Sequence, residues 1–75
     1  MNPKFPFLKP KEVVKVFEKI GFIKIHQSGS HLILRHPETK KRVVIPMHTN
    51  DIKKGLLLAE IKKIGIDKEK FLSYL

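Results

Sequence analysis

Seventy-five residues make one domain, 1–75, with room for one core, and a chain of this size buries only about 60–65 % of the surface its unfolded form exposes. The absence of cysteine removes disulfides, thiolate metal sites and cysteine nucleophiles together, and it favours a reducing cytoplasm. Sixteen Lys and Arg against seven Asp and Glu leave a net charge of +9, the footprint of a protein that meets polyphosphate.

Residues 1–54 hold twelve basic and four acidic side chains, a net of +8, whereas residues 55–75 hold four and three, a net of +1. The basic surface therefore belongs to the first two-thirds. No segment approaches the roughly 20 apolar residues of a membrane span, so no membrane role is expected. Pro3, Pro6 and Pro10 interrupt the apolar stretch that a signal peptide would need.

In chain order, Met1 to Lys9 reads as an extended lead-in, because each proline pushes its predecessor out of the helical region. Phe5, Phe7 and Leu8 are expected over the core. Pro10 suits a first helical position, and Val13, Phe17 and Ile20 follow on one face, with Lys11, Lys15 and Lys19 on the other, until Gly21 ends the helix. Phe22 to Gln27 alternates Ile23 and Ile25 against Lys24 and His26, the period of a half-buried strand. Ser28-Gly29-Ser30 is its turn.

His31 to His36 alternates again, with Leu32 and Leu34 inward and His31, Ile33 and Arg35 outward. Pro37 to Lys41 is a charged hairpin loop, and Arg42 to Pro46 is a strand rich in β-branched residues. A polar loop, Met47 to Asp51, leads to a helix from Lys53 to Ile64 that buries Leu57, Ile61 and Ile64 and stops at Gly65. Asp67 caps a short last helix carrying Phe71, Leu72 and Leu75. This order predicts a two-layer α+β domain, with both main helices on one face of a three-stranded antiparallel sheet. The other face, open to solvent, is expected to display Lys24, His31, Arg35 and Arg42.

His26, His31, His36 and His48 invite a metal reading, but their spacing argues against it: His31 and His36 fall on opposite faces of a strand, and no carboxylate or thiol neighbour completes a zinc shell. Ser28 and Ser30 lack the nearby acid of a nucleophilic triad, and Gly29 alone makes no phosphate loop. His31 stands apart. It begins a strand, shares a face with Arg35 and lies among cations, where an imidazole can exchange protons with a phosphodiester. RNA carries its own nucleophile, the 2′-hydroxyl, so a protein need only move a proton and steady the charge of the phosphorane. The competing reading of His31 is a strand-start residue whose ring bonds a backbone carbonyl. His26 and His36 read as surface or sheet-edge residues contacting phosphate or nothing, and His48 as a hydrogen bond fixing its loop. Lys40-Lys41-Arg42 is either a solvated hairpin tip or a phosphate contact without sequence preference.

The blocks Gly21-Phe22, Gly29-Ser30-His31, Pro46-Met47-His48 and Lys54-Gly55 before a Leu-rich helix ending at Gly65 resemble, in order and spacing, the HicA (YcfA-like) mRNA interferase toxins. The resemblance covers nearly the whole chain. It implies a double-stranded-RNA-binding-domain-like fold, helix-strand-strand-strand-helix, and a ribosome-independent endoribonuclease that cleaves mRNA and stops translation. It also implies a HicB-type antitoxin that masks the active site, and no metal or organic cofactor. The family's catalytic histidine is that of its Gly-Ser-His motif, which falls on His31, with Gly29 and Ser30 placing the ring. Lys24, Ser28, Arg35, Lys41 and Arg42 are then candidate RNA contacts beside Gly29 and Ser30. The alternative is a non-catalytic RNA-binding module of the same fold, and a third class is a protein that only binds another protein.

Overall fold

The computed structural model describes residues 7–75. Pro10 opens α1 (Pro10–Ile20), where its missing N–H costs nothing and its fixed φ suits the helix. The Glu12 carboxylate accepts the Lys9 backbone N–H at 3.0 Å, which closes the N-terminus. Val13 and Phe17 are fully buried as their spacing predicts, and Val14 and Val16 widen the buried stripe. Gly21 ends the helix at φ 120, a region that glycine enters freely.

Three strands follow, β1 (Ile23–Ser28), β2 (His31–Arg35) and β3 (Arg42–Pro46), in spatial order β1-β2-β3 with both pairs antiparallel. Each strand returns beside its predecessor through a short turn. Gly29, at φ 59, holds the first of the two linking positions between Ser28 and His31, where a type II′ connection calls for glycine. The second hairpin is tied by Lys40 N–H to His36 C=O and His36 N–H to Lys41 C=O, both at 2.9 Å.

The chain then forms α2 (Lys54–Ile64), stopped by Gly65 in the left-handed region at φ 84, and α3 (Lys68–Leu72). The N–H of Ile66 reaches back to Ile61 C=O, the long bond of a Schellman ending. Asp67 caps α3 by accepting the Lys70 N–H at 2.7 Å. The order helix-strand-strand-strand-helix with a short last helix, and the two-layer α+β arrangement, are as the sequence predicts.

The core lies between the sheet and the helices. Leu32 and Leu34 of β2 and Val43 and Ile45 of β3 face Val13, Phe17, Leu57 and Ile61, and each such side chain contributes about 1.5–3 kcal/mol on burial. Phe17 is the hub: its ring meets Phe22 edge-on and Phe71 at a tilt, both at 5.4 Å between centroids, so α1, the entry to β1 and α3 share one aromatic cluster. Leu57 and Ile61 are buried and Ile64 is half-buried. In the lead-in, Leu8 is buried and bridges Ile52, whose N–H donates to Leu8 C=O at 2.8 Å. Phe7, expected over the core, is instead 87 % exposed, because the inward position of that stretch goes to Leu8; Phe5 lies outside the described residues.

β1 does not follow its alternation. Ile23 and Ile25 are 53 % and 50 % exposed, not inward. From the turn, Ser28 pairs with His31, Gln27 with Leu32 and His26 with Ile33; Ile25 is then a bulge, and Lys24 pairs with Leu34 and Ile23 with Arg35. One extra residue reverses the facing of everything before it, so Ile23 turns outward and Lys24 turns to the helix side.

Candidate nucleic-acid interface

Directly paired residues share a face, so the register lays out the solvent-facing side of the sheet row by row. Ser28, His31 and Pro46 form the row at the Gly29-Ser30 turn, His26, Ile33 and Val44 the middle row, and Ile23, Arg35 and Arg42 the far row. The face has His31 at one end, His26 beside the apolar Ile33 and Val44 in the middle, and two arginines at the other end. None of these nine positions is acidic.

Arg35 and Arg42 sit directly opposite each other and are both exposed. Like charges in that relation repel, and no carboxylate forms an ion pair with either among the described residues. The pair is therefore poised for an outside anion, and two guanidinium forks suit phosphate oxygens. Four steps of about 3.3 Å along β2 carry the chain from His31 to Arg35, so the histidine and arginine ends lie about 13 Å apart.

His31 and Arg35 share the open face as the alternation predicts. Lys24 does not: the Ile25 bulge puts it on the helix side, in a cleft lined by Lys11, Val14, Lys15, Glu18, Leu32 and Met47. Lys41 lies at the arginine end, where its Nζ donates to the Lys63 carbonyl of α2 at 3.4 Å. Ser28 faces outward beside His31, whereas Gly29 and half-buried Ser30 shape the turn, with Gln27 Nε2 donating to Gly29 C=O at 3.1 Å.

The histidines divide by role. His36 is half-buried: its Nδ1 accepts N–H bonds from Glu38 at 3.2 Å and Thr39 at 3.3 Å, and its ring meets Phe22 edge-on at 5.3 Å. It is an internal brace of the second hairpin rather than the surface contact expected of it. His31 is exposed, and among the described residues its ring makes no hydrogen bond to a backbone carbonyl. His48, also exposed, has no ring hydrogen bond there either; its ring lies 6.0 Å from that of His31, inclined at 65°.

The backbone explains that meeting. His31 pairs with Pro46, which has no N–H, and the next residue takes over: Met47 N–H donates to Ser30 C=O at 2.6 Å. The tie carries the chain one step beyond the ladder and delivers His48 beside His31. The sequence places His48 in that loop but does not disclose its neighbour. The available signal was Pro46-Met47-His48 closing the strand that pairs with the one His31 begins.

Among the described residues, no three His, Asp or Glu side chains gather as a metal-binding group, and no helix is long and apolar enough to cross a membrane. Among curated proteins, no sequence matches this chain closely enough to carry an argument. The sequence pattern of the HicA toxins of bacterial toxin–antitoxin systems matches residues 10–66, from the first residue of α1 through the end of α2, and takes in both the Gly29-Ser30-His31 turn and the Pro46-Met47-His48 exit. With the greater part of its length so matched, the chain belongs to the HicA toxin family of toxin–antitoxin systems.

Proposed function

We propose that this toxin is a metal-independent endoribonuclease that cuts mRNA and thereby stops translation, with His31 moving a proton at the scissile phosphodiester. The carrying observation is His31 on an acid-free sheet face whose far end presents the Arg35–Arg42 couple, without a carboxylate partner among the described residues. The strand of RNA lies along that face, its backbone held by the arginines, with Lys41 at the rim and Ser28, Gly29 and Ser30 at the turn. The apolar middle row of Ile33 and Val44, both half-buried, offers contact area to bases. The reaction needs no group beyond the chain and the RNA 2′-hydroxyl.

The antitoxin partner expected of a toxin–antitoxin family is, in this reading, a HicB-type protein whose acidic surface competes with RNA for the cationic face. Burying that face would also add to a core limited by chain length. The encounter with mRNA places the protein in the cytoplasm.

The test is incubation of purified native and His31→Ala protein with labelled single-stranded RNA in EDTA. Native protein yields fragments ending in 2′,3′-cyclic phosphate, and His31→Ala loses cleavage by about 10²–10⁴-fold with unchanged circular dichroism and melting. Undiminished cleavage by His31→Ala sinks the assignment. The same arginine couple also serves the second reading, a non-catalytic RNA-binding module, which predicts salt-sensitive binding by native protein and no fragments at any pH.

A further inference from the structure

We propose that His48 is the second proton-transfer group of the cleavage assigned to His31, an inference that rests on that reading. The two rings lie 6.0 Å apart at 65°, both exposed, and their nitrogens are unengaged by hydrogen bonds among the described residues. Two exposed imidazoles this close can both hydrogen-bond one phosphodiester seated over them, one reaching the attacking oxygen and the other the leaving oxygen. A T-shaped ring contact for stability alone is the poorer account, because two exposed rings bury little area against each other.

The placement is built into the backbone. His31 is the first residue of β2, anchored across the strands to Pro46, and the Met47 N–H bond to Ser30 C=O fixes the one residue between that anchor and His48. Both rings are therefore positioned by the hairpin end of the sheet rather than by a free loop. The other titratable or charged side chains on the sheet face are His26, Arg35 and Arg42, and none is a carboxylate that would replace either histidine as base.

The step balances without a co-reactant. The unprotonated imidazole of the pair takes the 2′-hydroxyl proton as O2′ bonds to phosphorus. The protonated one gives its proton to O5′ as the P–O5′ bond breaks. Products are a 2′,3′-cyclic phosphate and a 5′-hydroxyl, and the two rings have exchanged protonation states, which solvent resets. His31 and His48 are thus a complementary acid and base.

The experiment compares the native chain with His31→Ala, His48→Ala and His48→Gln on one RNA made in two forms. One form carries ordinary linkages, and the other has sulfur in place of the bridging 5′-oxygen at the cut site, so that the leaving thiolate needs no proton. On ordinary RNA, both histidine positions lose about 10²–10⁴-fold in rate with unchanged circular dichroism and melting, and His48→Gln fails like His48→Ala. Native protein gives a bell-shaped pH profile, of which each variant loses a different limb. The sulfur linkage restores one position and not the other, which names the acid. His48→Ala within about threefold of native on ordinary RNA, far short of the expected loss, overturns the proposal, as does equal rescue of both positions or of neither. Native protein that cuts no RNA overturns the nuclease reading itself, whereas native protein that cuts while His48→Ala cuts equally well overturns only the role of His48.

Discussion

At Gly21 a single hydrogen decides whether α1 can hand over to the sheet. The residue sits at φ 120, and an added Cβ would lie 2.7 Å from His36 Nε2, the ring that braces the second hairpin and packs on Phe22. Gly21→Ala therefore combines backbone strain with a clash against a half-buried ring, and it should destabilise by about 1–3 kcal/mol in urea denaturation. Adding His36→Ala removes the clash but not the strain, so the double variant should fall short of the sum of the two single losses, a coupling that a double-mutant cycle reads directly. Gly29 makes the contrast: its Cβ would meet nothing within 4 Å, and only its φ of 59 resists replacement. The need for glycine after α1 was legible in the sequence as a helix stop. The reason for it, a histidine fifteen positions later, was not.

Among the elements, β1 departs furthest from its periodicity. All six of its residues are exposed, for the sheet's contacts with α1 and α2 concentrate on β3 and leave β1 at the free edge. A strict alternation counted back from the Gly29 turn would have placed Ile25 against Leu34 and Lys24 against Arg35, as the sequence suggests; the bulge at Ile25 shifts the register and reverses both. Hydrophobic spacing cannot disclose a bulge, because an extra unpaired residue has no residue type of its own. It follows that Ile25→Lys should change stability by no more than about 0.5 kcal/mol, whereas Leu34→Ala, at a position with no exposure, should cost about 2–5 kcal/mol; chemical denaturation of the two variants checks the pair. The helices were more legible than the strand. Val13, Phe17, Leu57 and Ile61 all bury as their spacing requires, since a 3.6-residue period over eleven residues leaves little freedom in choosing a face.

For the whole molecule, charge and topology act together. The +8 of residues 1–54 attracts anions from any direction, but the sheet decides which cations act in concert: Arg35 and Arg42 meet across two strands, while Lys24 is sent to the opposite side. Arg35→Ala should weaken RNA binding for all sequences alike and lower the slope of log affinity against log salt by roughly 0.7, the value for one phosphate contact on a single strand. Lys24→Ala should leave that slope nearly unchanged. A salt titration by fluorescence anisotropy separates the two, and an equal effect at both positions would mean that RNA does not follow the histidine–arginine face.

Element order, most of the buried residues, the basic character and the family are legible in the chain alone, because they rest on local periodicity, turn chemistry and motif spacing. The chain also puts His31 and Arg35 on one face, five residues within a single strand being enough to fix that. The remainder emerged only on folding. Pairing register moved Lys24 away from the site, and a backbone bond between Met47 and Ser30 brought His48 to His31 across seventeen positions of chain. Alternation within one strand is a local property, but which residues of different strands stand side by side is fixed only when the hydrogen-bond ladder closes.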